Sequence, residues 1–222
     1  MKLLQLAENK YNQLLLTLIA TFLAAPFFTN NLITSLLFPL TLSVVLVLIV
    51  NRIKPNQAVF RLYLVLAGLS FLLQLLGKLG LIGFNLSNSG VVISSLIFLF
   101  LLGIPVRLIT QEIFNTPKVG ADTLKGGVCV YILIGLFWGE LYFTVYYLHP
   151  DGFRGVSAFQ SLSDLFYFSF TTLTTVGYGD ITPAIPITRI LSNLEGITGL
   201  MYPTIFISRL VSLYSSERDT PP

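Results

Sequence analysis

Thr174-Thr175-Val176-Gly177-Tyr178-Gly179-Asp180 is short, glycine-punctuated and set in a chain that is otherwise mostly hydrocarbon. Gly177 and Gly179 accept positive φ without steric penalty. Carbonyls on both sides of each glycine can then turn toward one axis, which neither an ordinary helix nor an ordinary strand permits. A column of such oxygens can replace the water shell of a bare cation. The Thr175 hydroxyl would add one more oxygen at its inner end. One chain supplies only one wall of that cage. A lone Gly-Tyr-Gly also fits a glycine turn in an outer loop. Seven residues in this order, after an amphipathic stretch and between two membrane-length apolar segments, carry far more.

Outward from this motif the chain is apolar. Of 222 residues, 54% are hydrophobic and 10% charged, a balance that belongs to integral membrane proteins. The net charge of +3 is modest, and no basic cluster offers itself to nucleic acid. Cys129 is the only cysteine and His149 the only histidine, so a disulfide framework and a Cys- or His-rich metal site are excluded. Cys129 lies in an apolar run and reads as a small packing residue. No catalytic constellation is visible, which argues against an enzyme, and no cofactor is implied.

The pattern predicts six membrane helices. Helix one covers about 14–28, broken by Pro26; a signal peptide is the weaker alternative because the cleavage pattern is poor. Helix two runs about 32–50 around Pro39. Helix three, about 62–76, is short for a bilayer that needs about 20 residues, so it starts nearer Ala58. Helix four runs about 91–109, helix five about 124–148, and helix six about 187–214. A short amphipathic helix over 163–174 precedes the glycine motif, with Ser161 or Ser163 as its cap and Asp164 in its first turn.

Lys and Arg orient the chain. With the N-terminus inside and every helix spanning, Lys2, Lys10, Arg52, Lys54, Arg61, Arg107, Lys118, Lys125, Arg209 and Arg218 fall on the cytoplasmic side. Lys78, Arg154 and Arg189 fall outside. Both termini are then cytoplasmic, and the glycine motif enters from the outer face.

The Thr-Val-Gly-Tyr-Gly-Asp run and its setting resemble the pore of tetrameric potassium channels over about the last 90 residues. The resemblance implies an all-α membrane protein with six spanning helices, a re-entrant pore helix and a selectivity filter. It implies a homotetramer in the cell membrane, of prokaryotic type, with K⁺ as the permeant ion; accessory subunits are left open. The expected layout is a four-helix bundle over 1–110, a linker over 111–123, a pore domain over 124–214 and a short tail over 215–222. With a tail that short, no cytoplasmic nucleotide- or calcium-binding domain is expected.

Residue by residue, the resemblance assigns the filter to Thr174, Thr175, Val176, Gly177, Tyr178, Gly179 and Asp180. K⁺ is held by Thr175, Val176, Gly177 and Tyr178, and Asp180 sits at the outer mouth. Phe166, Tyr167, Phe168 and Phe170 form an aromatic cuff. Gly199 matches the inner-helix hinge, with Gly196 as rival and Pro203 as a second bend; the competing reading is that these glycines allow close packing. Glu140 and Glu195 each lie about 12 Å from the outer end of a helix, where carboxylates are costly. They are expected to share an environment behind the filter, bonding to Thr171, Thr172 or each other, with one of them protonated. An ion pair between Glu195 and Arg189 is the alternative.

The first half is informative by omission. A voltage sensor needs several arginines at three-residue spacing and carboxylate partners. Helix four has Arg107 alone, and no Asp or Glu occurs between Glu8 and Glu112. The function expected is K⁺ permeation not gated by moving arginines. The alternatives are a K⁺ transporter subunit, disfavoured by one repeat with two glycines, and a non-conducting regulatory subunit.

Overall fold

A computed structural model describes residues 10–24, 32–53, 57–78, 84–116, 120–157 and 161–218. In chain order the helices are α1 (Lys10–Ala24), α2 (Leu32–Ile53), α3 (Gln57–Lys78), α4 (Phe84–Asn115), α5 (Ala121–Leu148), α6 (Ser161–Leu173) and α7 (Pro186–Arg218). Between α5 and α7 lie a 3-10 turn, Pro150–Gly152, and two strands, β1 (Phe153–Arg154) and β2 (Thr182–Pro183).

Among the described residues, four helical stretches are long and apolar enough to cross a membrane: Gln57–Leu76, Ser89–Asn115, Ala121–Leu148 and Pro186–Ser215. Among the described residues α1 and α2 contribute shorter apolar runs, Tyr11–Ala20 and Leu40–Asn51. Pro26 and the end of expected helix one lie outside the described residues. The third helix begins at Gln57 and reaches 22 residues. The fourth starts before Val91 and runs past Ile109 to Asn115. Burial explains the extension, since Ile109 and Ile113 are both packed inside. Residues 111–123 are therefore largely helix, closing α4 and opening α5, with 117–119 outside the described residues.

α5 is the central post. Gly127, Gly135 and Gly139 recur on one face of it, and each is filled by a phenylalanine ring. A Cβ at Gly127 would meet Phe206 of α7 at 2.2 Å. At Gly135 it would meet Phe170 of α6 at 2.6 Å, and at Gly139 it would meet Phe166 of α6 at 2.4 Å. These notches let α6 lie close along α5. The main core continues from there through α4 to α1, α2 and α3, where the buried Tyr63 hydroxyl donates to Leu101 O at 2.8 Å. A second cluster joins Tyr142, Phe153, Leu165, Phe168 and Ile181 around the other end of α6.

Candidate functional site

α6 has 13 residues, about 20 Å at 1.5 Å per residue. It begins at Ser161, which places Ser161 and Ser163 in its first turn. Asp164 takes part differently: its carboxylate accepts the Ser157 N–H at 2.8 Å, tying the preceding loop to the first turn. The helix ends at Leu173, one residue before the expected Thr174.

From there the backbone folds back on α6. The N–H groups of Thr174, Thr175, Val176 and Gly177 donate to Phe170 O, Thr172 O, Thr171 O and Thr171 O, at 2.9–3.1 Å. The Thr174 hydroxyl also donates to Phe170 O, at 2.6 Å. The donors of this segment are thus consumed on one side. Every second residue is left-handed: Thr175 has φ 61°, Gly177 49° and Gly179 81°. Alternating hands flips successive peptide planes and turns successive carbonyls the same way. Two of the three left-handed positions are the expected glycines. Thr175 is the third, and a non-glycine there costs about 1–2 kcal/mol. Residues 174–180 are exposed in the single chain.

The far end of the loop is braced twice. The Tyr178 ring stacks on Tyr167 with centroids 6.2 Å apart and planes within 1°. Asp180 accepts the Ile181 N–H at 3.0 Å. On the other side, a Cβ at Gly155 would lie 2.0 Å from Asp180 O. β1 pairs antiparallel with β2, and the Gly152 carbonyl accepts Ala184 N–H and the Thr188 hydroxyl, both at 2.9 Å. The four α6 aromatics do not act alike. Tyr167 faces the loop, Phe168 packs edge-on against Tyr142 and Phe153, and Phe166 and Phe170 fill the α5 notches.

The near end is held by α7. A Cβ on Gly199 would sit 1.9 Å from Leu173 O, whose lone pair also accepts the Tyr131 hydroxyl at 3.1 Å. Gly199 is a close-contact glycine here. Gly196 has nothing within 4 Å, and Pro203 lies inside the unbroken α7.

The two intramembrane glutamates prove to be in different places. Glu195 is fully buried between three helices. Tyr142 of α5 donates to its Oε2 at 2.6 Å, and Ser169 Oγ of α6 lies 2.5 Å from its Oε1. Ser169 also reaches Gly135 O at 2.8 Å. Glu140 is buried too, but its carboxyl faces Ser95 of α4, on the opposite side of α5. The helical periodicity explains the separation: Glu140 projects from a different face than Tyr142, two residues on. The Glu195 carboxylate is held by the hydroxyls of Tyr142 and Ser169, so neither bonding to Thr171 or Thr172 nor pairing of the two acids describes the site. Arg189 is exposed. Ser169 and Tyr142 were not singled out in the sequence. Serine in the apolar face of an aromatic helix was the available signal.

Residues 129–216 match the family described as ion channel. An 83-residue stretch is 35% identical to two-pore potassium channel 4 of Arabidopsis thaliana, covering 37% of this chain and 28% of that protein. A 97-residue stretch is 30% identical to the voltage-gated potassium channel of Aeropyrum pernix, covering 44% and 30%. A 98-residue stretch is 30% identical to the human voltage-gated potassium channel regulatory subunit KCNF1, covering 42% and 19%. The matches thus span less than a third of each relative. No solved structure matches the chain significantly. Over this region the chain is similar to ion channels, and the relatives it matches are potassium channel proteins.

Proposed function

We propose that this protein is a potassium-selective channel subunit and that four copies surround one conduction axis. The observation that carries the reading is the alternation of left-handed backbone at Thr175, Gly177 and Gly179, with the N–H groups of 174–177 bonded back onto α6. That leaves the carbonyls of Thr175, Val176, Gly177 and Tyr178 free to replace K⁺ hydration, with the Thr175 hydroxyl at the inner end. The α6 C-terminus adds partial negative charge at the cavity. Asp180 forms a ring of carboxylates at the outer mouth.

Six spans fit the packing. Tyr11 of α1 lies beside Gly126 and Cys129 of α5, while Phe22 of α1 lies against Phe170, which fills Gly135 of α5. α1 and α5 therefore run parallel. Three crossings by α2, α3 and α4 satisfy that parity, with both termini cytoplasmic. In a single chain α7 is exposed along most of its length. Neighbouring subunits and lipid would cover it.

Ser169 has one hydroxyl proton and two acceptors, Gly135 O and Glu195 Oε1. A proton on the Glu195 carboxyl serves both: Glu195 donates to Ser169, Ser169 to Gly135, and Tyr142 to the second Glu195 oxygen. Glu195 would then tether the pore helix to α5 and α7 without an uncompensated charge.

Gating does not use a string of moving arginines in this reading. Arg107 is exposed on α4, eight residues before its end. Arg107→Gln is expected to leave the steepness of any voltage response unchanged, measured in planar bilayers; a shallower response would assign it gating charge. The relative named as a regulatory subunit favours a second reading, a subunit that conducts only with a partner. Purified protein in K⁺-loaded liposomes separates the two. The channel reading expects K⁺ release blocked by Ba²⁺; no release by the protein alone supports the regulatory reading.

A further inference from the structure

The first helix packs on α5 as well as on its bundle neighbour α2. Tyr11 packs at the foot of α5, where its ring lies 3.4 Å from a Cβ built on Gly126 and its carbonyl accepts the Cys129 thiol at 3.9 Å. The Tyr11 hydroxyl donates to Glu112 near the end of α4, at 2.8 Å. Eleven residues and about 16 Å further on, Phe22 meets the Phe170 ring edge-on, with centroids 5.0 Å apart and an interplanar angle of 72°. α1 is thus clamped at its foot and touches α6 near its head.

Phe170 is the last aromatic before the filter. Its ring is confined on one side by the Gly135 notch and on another by Phe22. Its carbonyl accepts both the N–H and the hydroxyl of Thr174, the first filter residue. Any rotation of α6 that moves the Phe170 ring therefore moves the acceptor that anchors the filter's inner end.

We propose that α1 is a working part of the pore and that Phe22 is a positioning residue, holding Phe170 and with it the base of the filter. The arrangement makes α1 a strut rather than the edge of a peripheral bundle. It extends the pore module to a segment outside residues 129–216, the part matching the ion channel family. Movement at the inner end, where Tyr11 meets Glu112 of α4, can then reach the filter without passing through α7.

The inference rests on the channel reading, so wild type is measured first in the same assay. Wild-type protein that passes no K⁺ overturns both. With wild type conducting, the readout is the decay of current during sustained opening at low outer K⁺, compared with high K⁺, whose ions hold the filter. Phe22→Ala is expected to speed the decay at low K⁺ about two- to ten-fold, the factor carried by one aromatic edge contact, and high K⁺ should restore it. Phe22→Tyr keeps the ring and should behave as wild type. Leu23→Ala, at the 66% exposed neighbouring position, should change nothing. Should Phe22→Ala fail to assemble, Phe22→Leu carries the same test, with a smaller acceleration expected. Decay unchanged in the assembled variant, or Phe22→Tyr as fast as Phe22→Ala, overturns the proposal.

Discussion

Gly199→Ala is expected to abolish K⁺ flux. A Cβ at this position would stand 1.9 Å from Leu173 O, 2.8 Å from its carbonyl carbon and 3.1 Å from its Cα. All three are backbone atoms, so no side chain can swing away. Either α7 moves off or the end of α6 shifts, and the filter begins at the next residue. Overpacking of this kind costs about 1–3 kcal/mol, here delivered at the filter's base. Gly196→Ala is the control, because nothing lies within 4 Å of its added methyl in the single chain. Liposome flux and the thermal stability of the purified protein measure both. If Gly199→Ala conducts like wild type, the close approach is not what holds the filter.

Glu195→Ala should have the second largest effect. It removes the acceptor of the buried Tyr142 hydroxyl and the partner of Ser169, and it empties a site with no exposed surface. A buried hydroxyl left dry costs about 1–3 kcal/mol, and the cavity adds to it. Loss of stability and of most flux is expected. Glu195→Gln is the informative partner. Its amide nitrogen donates to Ser169 and its oxygen accepts from Tyr142, which reproduces the bonding of a protonated carboxyl. It should keep most of the flux and stability that Ala loses. Equal damage from both variants would show that charge, rather than hydrogen bonding, is the working property of Glu195.

Much of the site was legible because its requirements are local. Positive φ at Gly177 and Gly179 follows from the absence of Cβ, and the helix–loop–helix order follows from hydropathy. Thr175 was not foreseen as left-handed, since nothing in threonine's own preferences favours it; the bonds on either side of it impose the conformation. The glutamates show a different limit. Depth along a helix can be counted from sequence, but which face a side chain occupies depends on where the neighbours lie. Glu140 and Glu195 share a depth and yet lie on opposite sides of α5. The glycine notches at 127, 135 and 139 were also hidden, because a glycine's partner is a ring from another helix. α4 outran its hydropathy for a related reason: Ile109 and Ile113 find burial that composition alone does not reveal. The place of α1 was the least legible of all. Phe22 and Phe170 are 148 positions apart, and only packing brings them together.

The central claim is that the carbonyls of 175–178 select K⁺. The reversal potential of purified wild-type protein in a planar bilayer, with K⁺ on one side and Na⁺ on the other, tests it most directly. The account predicts a reversal potential close to the K⁺ equilibrium value and a collapse of that potential in Gly177→Ala, where a Cβ meets φ of 49°. A wild-type reversal potential near zero would contradict it, because a filter built from these carbonyls would then not be distinguishing the two ions.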